Sequence, residues 1–173
     1  PEAIKMAPVY FELEKRGEQA DIISTGQHRQ MLDQALQIFD IKPRFDLQVM
    51  TDRQSLSLLT QKIIAGLQEL FDREKYDVVL VQGDTTTSLC GALVSFYNKI
   101  PVGHIEAGLR TNNIYDPFPE EINRRLTSKI ASINFAATAV SADNLLKEGI
   151  TEKSIFITGN TVIDSIKWIQ KNK

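Results

Sequence analysis

The sequence predicts an α/β fold built on a doubly wound parallel sheet, and two observations carry that expectation. Short aliphatic runs alternate with longer segments whose apolar residues recur every three or four positions. Strands that alternate with helices are joined by crossovers, and crossovers make the strands parallel and put helices on both faces. The run at 77–82 (DVVLVQ) is nearly continuous in β-branched and aliphatic residues, as in a strand buried on both faces. No internal repeat interrupts the alternation.

Residues 2–16 read as a helix with Ile4, Ala7, Val9 and Leu13 inward, ending near Gly17. An apolar run at 20–25 closes at Gly26. A helix at 29–39 sets Leu32, Ala35, Leu36 and Phe39 on one face, and 45–49 is extended after Pro43, which disfavours helix just before itself. The helix at 54–73 carries Leu56, Leu59, Ile63, Leu67 and Leu70 at spacings of three and four. After the 77–82 strand come a helix at 85–97, a strand at 101–105 and a turn-rich loop at 108–119. A helix at 120–131, a strand at 133–136, a helix at 142–148, a strand at 154–158 and a helix at 161–171 complete the chain.

The 173 residues suffice for one domain with a sizeable core, at roughly 150 residues per domain. A composition of 42% hydrophobic and 24% charged residues is that of a globular chain and excludes disorder and low complexity. Twenty basic residues stand against 22 acidic ones, a net charge of −2, so no global field draws a polyanion: neither nucleic acid nor a membrane is expected as a partner. Cys90 is the only cysteine and His28 and His104 the only histidines, too few for a disulfide framework or a Cys/His zinc site. That usage fits a reducing, cytoplasmic setting without a metal, and Cys90, among Leu89, Ala92 and Leu93, reads as a small buried hydrophobe. The uncharged stretches at 85–98 and 130–142 fall short of the roughly 20 apolar residues of a membrane span. No GxGxxG or Walker pattern supports a nicotinamide or ATP cofactor, and no cofactor is expected. The chain opens Pro1-Glu2-Ala3 directly into a helical turn without methionine, from which a missing upstream segment is expected.

In doubly wound sheets ligands sit beyond the carboxyl ends of the strands. Four polar clusters fall there. Gln82-Gly83-Asp84-Thr85-Thr86-Thr87-Ser88 follows a strand and opens a helix, so Asp84 reads either as a reacting carboxylate or as a helix cap. Gly103-His104-Ile105-Glu106-Ala107-Gly108-Leu109-Arg110 brackets Glu106 between glycines, with Arg110 available for a phosphate or for pairing with Glu106; His104 reads as a satisfied strand histidine. Pro117-Phe118-Pro119-Glu120-Glu121 starts a helix whose acidic first turn suits the helix dipole and precedes Arg124 and Arg125 by four residues. Gln27-His28-Arg29-Gln30 and Asp52-Arg53-Gln54 offer amides and guanidinium to a diphosphate sugar, or simply solvate helix starts. Asp84, Glu106 and Glu120 thus project from consecutive strand-to-helix loops, the way proton-transfer sites are assembled.

In order and spacing, PEAIKMAPV, GQHRQML, VQGDTTTS, GHIEAGLRT, PFPEEINRR and ITGNTVID resemble the amino-terminal half of bacterial non-hydrolysing UDP-N-acetylglucosamine 2-epimerases along the whole chain. The resemblance implies a Rossmann-like domain forming one half of a GT-B-like two-domain enzyme, with the active site in the cleft and a homodimer as the usual assembly. It implies interconversion of UDP-N-acetylglucosamine and UDP-N-acetylmannosamine for surface polysaccharide synthesis, by elimination of UDP to 2-acetamidoglucal and re-addition. Asp84, Glu106 and Glu120 would supply acid and base functions, and Lys5 and Arg110 would contact substrate. Gln27, Gln30 and Arg53 match positions that bind a second, allosteric UDP-N-acetylglucosamine in the regulated branch.

On this resemblance residues 1–160 form the amino-terminal domain without its first strand, residues 161–173 form a hinge or interdomain helix, and the carboxyl-terminal UDP-binding domain is absent. A missing central strand strips pairing from two neighbours, and the chain alone is expected to be inactive. At 134–138 (NFAAT) relatives usually carry His before Phe and Pro before Thr, a departure that leaves the carboxylates untouched. The competing expectations are a hydrolysing relative that releases N-acetylmannosamine and a non-catalytic nucleotide-sugar-binding module.

Overall fold

A computed structural model describes residues 2–26, 29–51 and 53–173, and for residues 29–31 the backbone alone. The chain forms two compact units, residues 1–55 with 160–173, and residues 56–159.

The first unit holds α1 (Glu2–Lys15), β1 (Ile23–Ser24), α2 (Arg29–Phe39), β2 (Phe45–Asp46) and α7 (Val162–Asn172), with β1 and β2 parallel. Its core joins Ala7 of α1 to Leu36, Phe39 and Ile41, with Ala3, Ile4, Tyr10 and Phe11 packed against them. The inward stripe of α1 is therefore 3, 4, 7, 10 and 11. Ile4 and Ala7 lie where the sequence puts them, whereas Val9 and Leu13 turn away to line an open groove with Thr161 and Asp164. The reason is rotation: at about 100° per residue, position 9 lies far round the helix from position 7. Trp168 of α7 stacks on Phe11 at 5.1 Å and meets Phe39 at 5.2 Å, so the stretch expected as a hinge helix packs its aromatic face into this unit. Pro8 sits inside α1 and lacks the N–H that would bond the Ile4 carbonyl. The buried Ser165 hydroxyl of α7 donates to that carbonyl instead.

The second unit holds α3 (Leu56–Arg73), β3 (Val79–Gln82), α4 (Thr86–Tyr97), β4 (Val102–Ala107), α5 (Glu120–Ile130), β5 (Ile133–Ala136), α6 (Ala139–Lys147) and β6 (Ile155–Ile157). Its four strands run parallel in the order β3-β4-β5-β6, so each step along the chain is a crossover to the neighbouring strand. The expected single sheet is thus met as two parallel sheets. The 77–82 run is shorter and less buried than its composition implies: Val78 is 48% exposed, and β3 is an edge strand paired only with β4 among the described residues. Burial on both faces belongs to β4, where Val102, Gly103, His104 and Ile105 are all buried. On α3, Leu59, Ile63, Leu67 and Leu70 are buried as the spacing predicts, joined by Phe71, while Leu56 in the first turn stays exposed.

Helix α6 begins three residues before its predicted start because Thr138 caps it, its hydroxyl accepting from Ser141 N at 3.1 Å. Cys90 is buried, and burial pushes its thiol up to about 11, in keeping with a packing role. Among the described residues no helix is long and apolar enough to cross a membrane, and no cluster of His, Cys, Asp and Glu could hold a metal ion.

Candidate active site

The carboxyl edge of the second unit's sheet brings Asp84, Glu106 and Glu120 to one side. Strand β3 ends at Gln82, and Gly83 turns the chain with φ of 71° into α4. Thr85, rather than Asp84, caps α4: its hydroxyl accepts from Ser88 N at 3.3 Å. The cap reading of Asp84 is thereby set aside. Its carboxylate Oδ2 lies 3.3 Å from Nη2 of Arg124, and its backbone carbonyl accepts from Asn123 Nδ2 at 3.0 Å. Both partners come from α5.

Glu106 sits near the end of β4 in a left-handed conformation, φ of 64°, where the pairing register of β4 with β5 shifts between Ile105 and Ala107. Such a conformation costs a non-glycine residue about 1–3 kcal/mol and persists only where its surroundings hold it. The Glu106 carboxylate accepts from Gln82 Nε2 at 2.6 Å, whereas Arg110 pairs with Glu148. A Cβ added at Gly83 would lie 3.9 Å from Glu106 Oε2, so the Gly83-Asp84 turn runs directly beside this carboxylate. Glu120 opens α5, and its carbonyl accepts from Nε of Arg124, the residue that also holds Asp84.

Glu121 behaves differently from Glu120. It is fully buried, 2.8 Å from Arg125 and 3.4 Å from Arg124, and accepts from Thr111 N at 3.1 Å. Burial alone would push its carboxyl up, yet the bonds from Arg125 and Thr111 and the Arg124 charge together hold it below the usual range. Arg110 makes a two-pronged pair with Glu148, 2.8 and 2.7 Å, with only 2% of its side chain exposed. Those bonds hold Glu148 below the usual carboxylate range despite its partial burial. Arg125 lies 3.7 Å from the same Glu148. Charges therefore alternate from Asp84 through Arg124, Glu121, Arg125 and Glu148 to Arg110, tying the loop after β4 to α5 and α6.

His104 is a satisfied strand histidine, as its sequence context implies: Nε2 lies 2.7 Å from the Gly83 carbonyl and Nδ1 3.1 Å from Ser128 Oγ. Burial, reinforced by Arg110, lowers its pKa to about 4. Asn134, beside it across the β4–β5 ladder, is fully buried with Oδ1 unpartnered among the described atoms.

Lys5 lies in α1 and the exposed Arg53 (φ of 55°) ahead of α3, both in the first unit. Gln27 lies outside the described residues, as does the side chain of Gln30. Local sequence offered no sign of the bonds from Gln82 to Glu106, Arg124 to Asp84 or Arg110 to Glu148, whose partners stand 24 to 40 positions apart; the strand-turn-carboxylate pattern marked only the carboxylates.

Residues 12–173 match the family model described as UDP-N-acetylglucosamine 2-epimerase. The chain is 55% identical over 167 residues to UDP-N-acetylglucosamine 2-epimerase of Bacillus subtilis, covering 96% of this chain and 44% of that protein. It is 50% identical over 171 residues to that of Escherichia coli, covering 98% and 46%. The fold superposes with a TM-score of 0.93 on the crystal structure of the Neisseria meningitidis UDP-GlcNAc 2-epimerase bound to UDP-GlcNAc, at 52% identity over 96% of this chain and 45% of that one. The chain spans about half the length of the curated relatives it matches. On a match that runs through both units and contains every carboxylate of the candidate site, the chain belongs to the UDP-N-acetylglucosamine 2-epimerase family.

Proposed function

We propose that this chain supplies the carboxylate side of an enzyme that reversibly epimerises UDP-N-acetylglucosamine at carbon 2 to UDP-N-acetylmannosamine, acting together with a second half of the kind its relatives' length includes. The observation that carries the reading is the gathering of Asp84, Glu106 and Glu120 along one sheet edge, with the Asp84 carboxylate beside Arg124 and the Glu106 carboxylate held by Gln82, in a member of this family. The proton on carbon 2 is not beside a carbonyl and is hard to remove. A carboxylate takes it while the bond between carbon 1 and the diphosphate oxygen breaks, giving 2-acetamidoglucal and UDP. Re-addition of UDP to carbon 1, with a proton delivered to the opposite face of carbon 2, completes the exchange. Carboxylates above and below one carbon suit this chemistry, and positioned acid–base groups contribute about 10²–10⁴ in rate.

In the same reading Lys5 contacts substrate and Gln27, Gln30 and Arg53 take a second UDP-N-acetylglucosamine. Residues 161–173 lead toward the other half, and the enzyme works as a cytoplasmic homodimer that feeds polysaccharide synthesis. Arg110 is better spent elsewhere: buried and doubly bonded to Glu148, it shapes the loop that carries the site. The test is to incubate an enzyme joining this chain to such a second half with UDP-N-acetylglucosamine in deuterium oxide. Deuterium at carbon 2 and formation of UDP-N-acetylmannosamine are expected. Release of free N-acetylmannosamine with UDP would show the hydrolysing reaction instead, and binding without exchange would leave a nucleotide-sugar-binding module.

A further inference from the structure

We propose that His104 and Gln82 are positioning residues for the proton-transfer carboxylates, each reaching across the β3–β4 seam to the other strand and together fixing the Asp84 turn against Glu106. The inference rests on the reading of Asp84 and Glu106 given above.

His104 belongs to β4 and bonds the Gly83 carbonyl beyond β3, while Gln82 belongs to β3 and bonds the Glu106 carboxylate on β4. The two reaches are reciprocal. Gly83 N also donates to Ile105 O at 2.9 Å, so both polar backbone groups of the glycine that launches Asp84 are held by β4. A carbonyl oxygen only accepts, so the proton of His104 is on Nε2. Nδ1 then accepts from the Ser128 hydroxyl. A ring fully buried in a strand is costly unless both nitrogens are satisfied, and here both are. Burial first, then the Arg110 charge, keep the ring neutral, although the Gly83 bond, the Asn134 side chain across the β4–β5 ladder and Glu106 favour the protonated form.

Gln82 is likewise buried, and its 2.6 Å bond falls on a residue whose left-handed backbone needs an external hold. An amide does not titrate in the working range, so it steadies the carboxylate without competing for the proton. Loss of either arm leaves the carboxylates in place chemically but loosens their spacing, and a misplacement near 1 Å costs about 10²-fold in rate.

Two measurements test this. Nitrogen-15 NMR of the 173-residue chain, which has only His28 and His104 as histidines, reads the tautomer directly, with His28→Gln for assignment. A neutral Nε2–H ring at His104 persisting down to about pH 5 is expected; an Nδ1–H tautomer, or a midpoint near the ordinary histidine value, overturns the clamp even in a fully active enzyme. In the two-half enzyme, Gln82→Met and His104→Phe are expected to lower kcat by about 10²-fold with KM changed less than about twofold. His104→Gln, which restores a donor, should recover about tenfold over His104→Phe. Unchanged kcat in folded Gln82→Met, or a rise in KM with kcat intact, overturns the positioning role. Absence of carbon-2 exchange in the unsubstituted enzyme overturns the epimerase reading and this role with it, whichever tautomer is found.

Discussion

Asp84 turns its carboxylate toward Arg124 while Thr85 caps α4, and Glu106 keeps its place because Gln82 holds it from the next strand. Replacing either acid by its amide preserves size and removes the proton-accepting oxygen. In the two-half enzyme Asp84→Asn and Glu106→Gln should each lower kcat for carbon-2 exchange by about 10²–10⁴-fold. UDP binding, measured by calorimetry, should stay within a few-fold, and near-normal turnover in either variant would remove that residue from the proton-transfer scheme. These acids were legible in the sequence because a glycine-flanked carboxylate at the end of an apolar run is a local pattern. Their partners were not. Arg124 reaches Asp84 only because α5 packs beside α4, and Arg110 finds Glu148 at the carboxyl end of α6 rather than Glu106, which is nearer in sequence. Nothing within a few residues of Arg110 announces that pairing.

Elements are joined at points where a missing or added atom would be felt. The Ile4 carbonyl, orphaned by Pro8, takes its hydrogen bond from Ser165, so α1 and α7 are tied through a defect in α1. Ser165→Ala should destabilise the first unit by about 1–2 kcal/mol, read as a lower urea midpoint, with hydrogen-exchange protection falling first in α7. A comparable loss is not expected from truncating the exposed Lys171 on the same helix. In the second unit Gly108 adopts φ of 90°, and a Cβ there would lie 2.2 Å from the Ser141 carbonyl oxygen, inside the first turn of α6. Gly108→Ala combines a left-handed backbone with a backbone clash, and a cost of about 2–4 kcal/mol follows. A variant as stable as the parent in thermal unfolding would contradict the close approach of this loop to α6. The helix periods forecast where α1 and α6 would be. They did not forecast these contacts, which depend on which carbonyl and which glycine meet after folding.

Across the whole molecule, three buried or partly buried groups make stability fall in acid. His104 has a folded value near 4 against an ordinary 6.5, so between those limits the unfolded chain binds more protons and acid favours unfolding. Its contribution, about 3 kcal/mol from a shift of that size, is fully present above pH 6.5 and lost as pH falls to about 4. Glu121 and Glu148 are also held low in the folded state; their stabilisation is present above the ordinary carboxylate value of 4.5 and is lost as pH falls through their folded values. Urea midpoints taken at pH 7, 5.5, 4.5 and about 3 should therefore decline in two stages, the first between pH 7 and 4.5 and the second below 4.5. His104→Gln should flatten the upper stage and leave the lower one. A flat profile from pH 7 to 4.5 in the parent chain would contradict a neutral, buried His104.

The sequence by itself determined the order and kind of the elements, the parallel sense of the strands and the candidate carboxylates, because each is written in short-range patterns: periodicity, β-branched runs, a glycine beside an acid. It also carried the family, through motifs kept in order along the chain. Tertiary structure alone decided that β4 rather than β3 is the buried strand, that Glu121 is buried beside the more exposed Glu120, and that Arg110 pairs with Glu148. Those outcomes depend on which distant side chains meet when crossovers bring helices together, and buried charges and carbonyls take whichever partner that packing puts within about 3 Å.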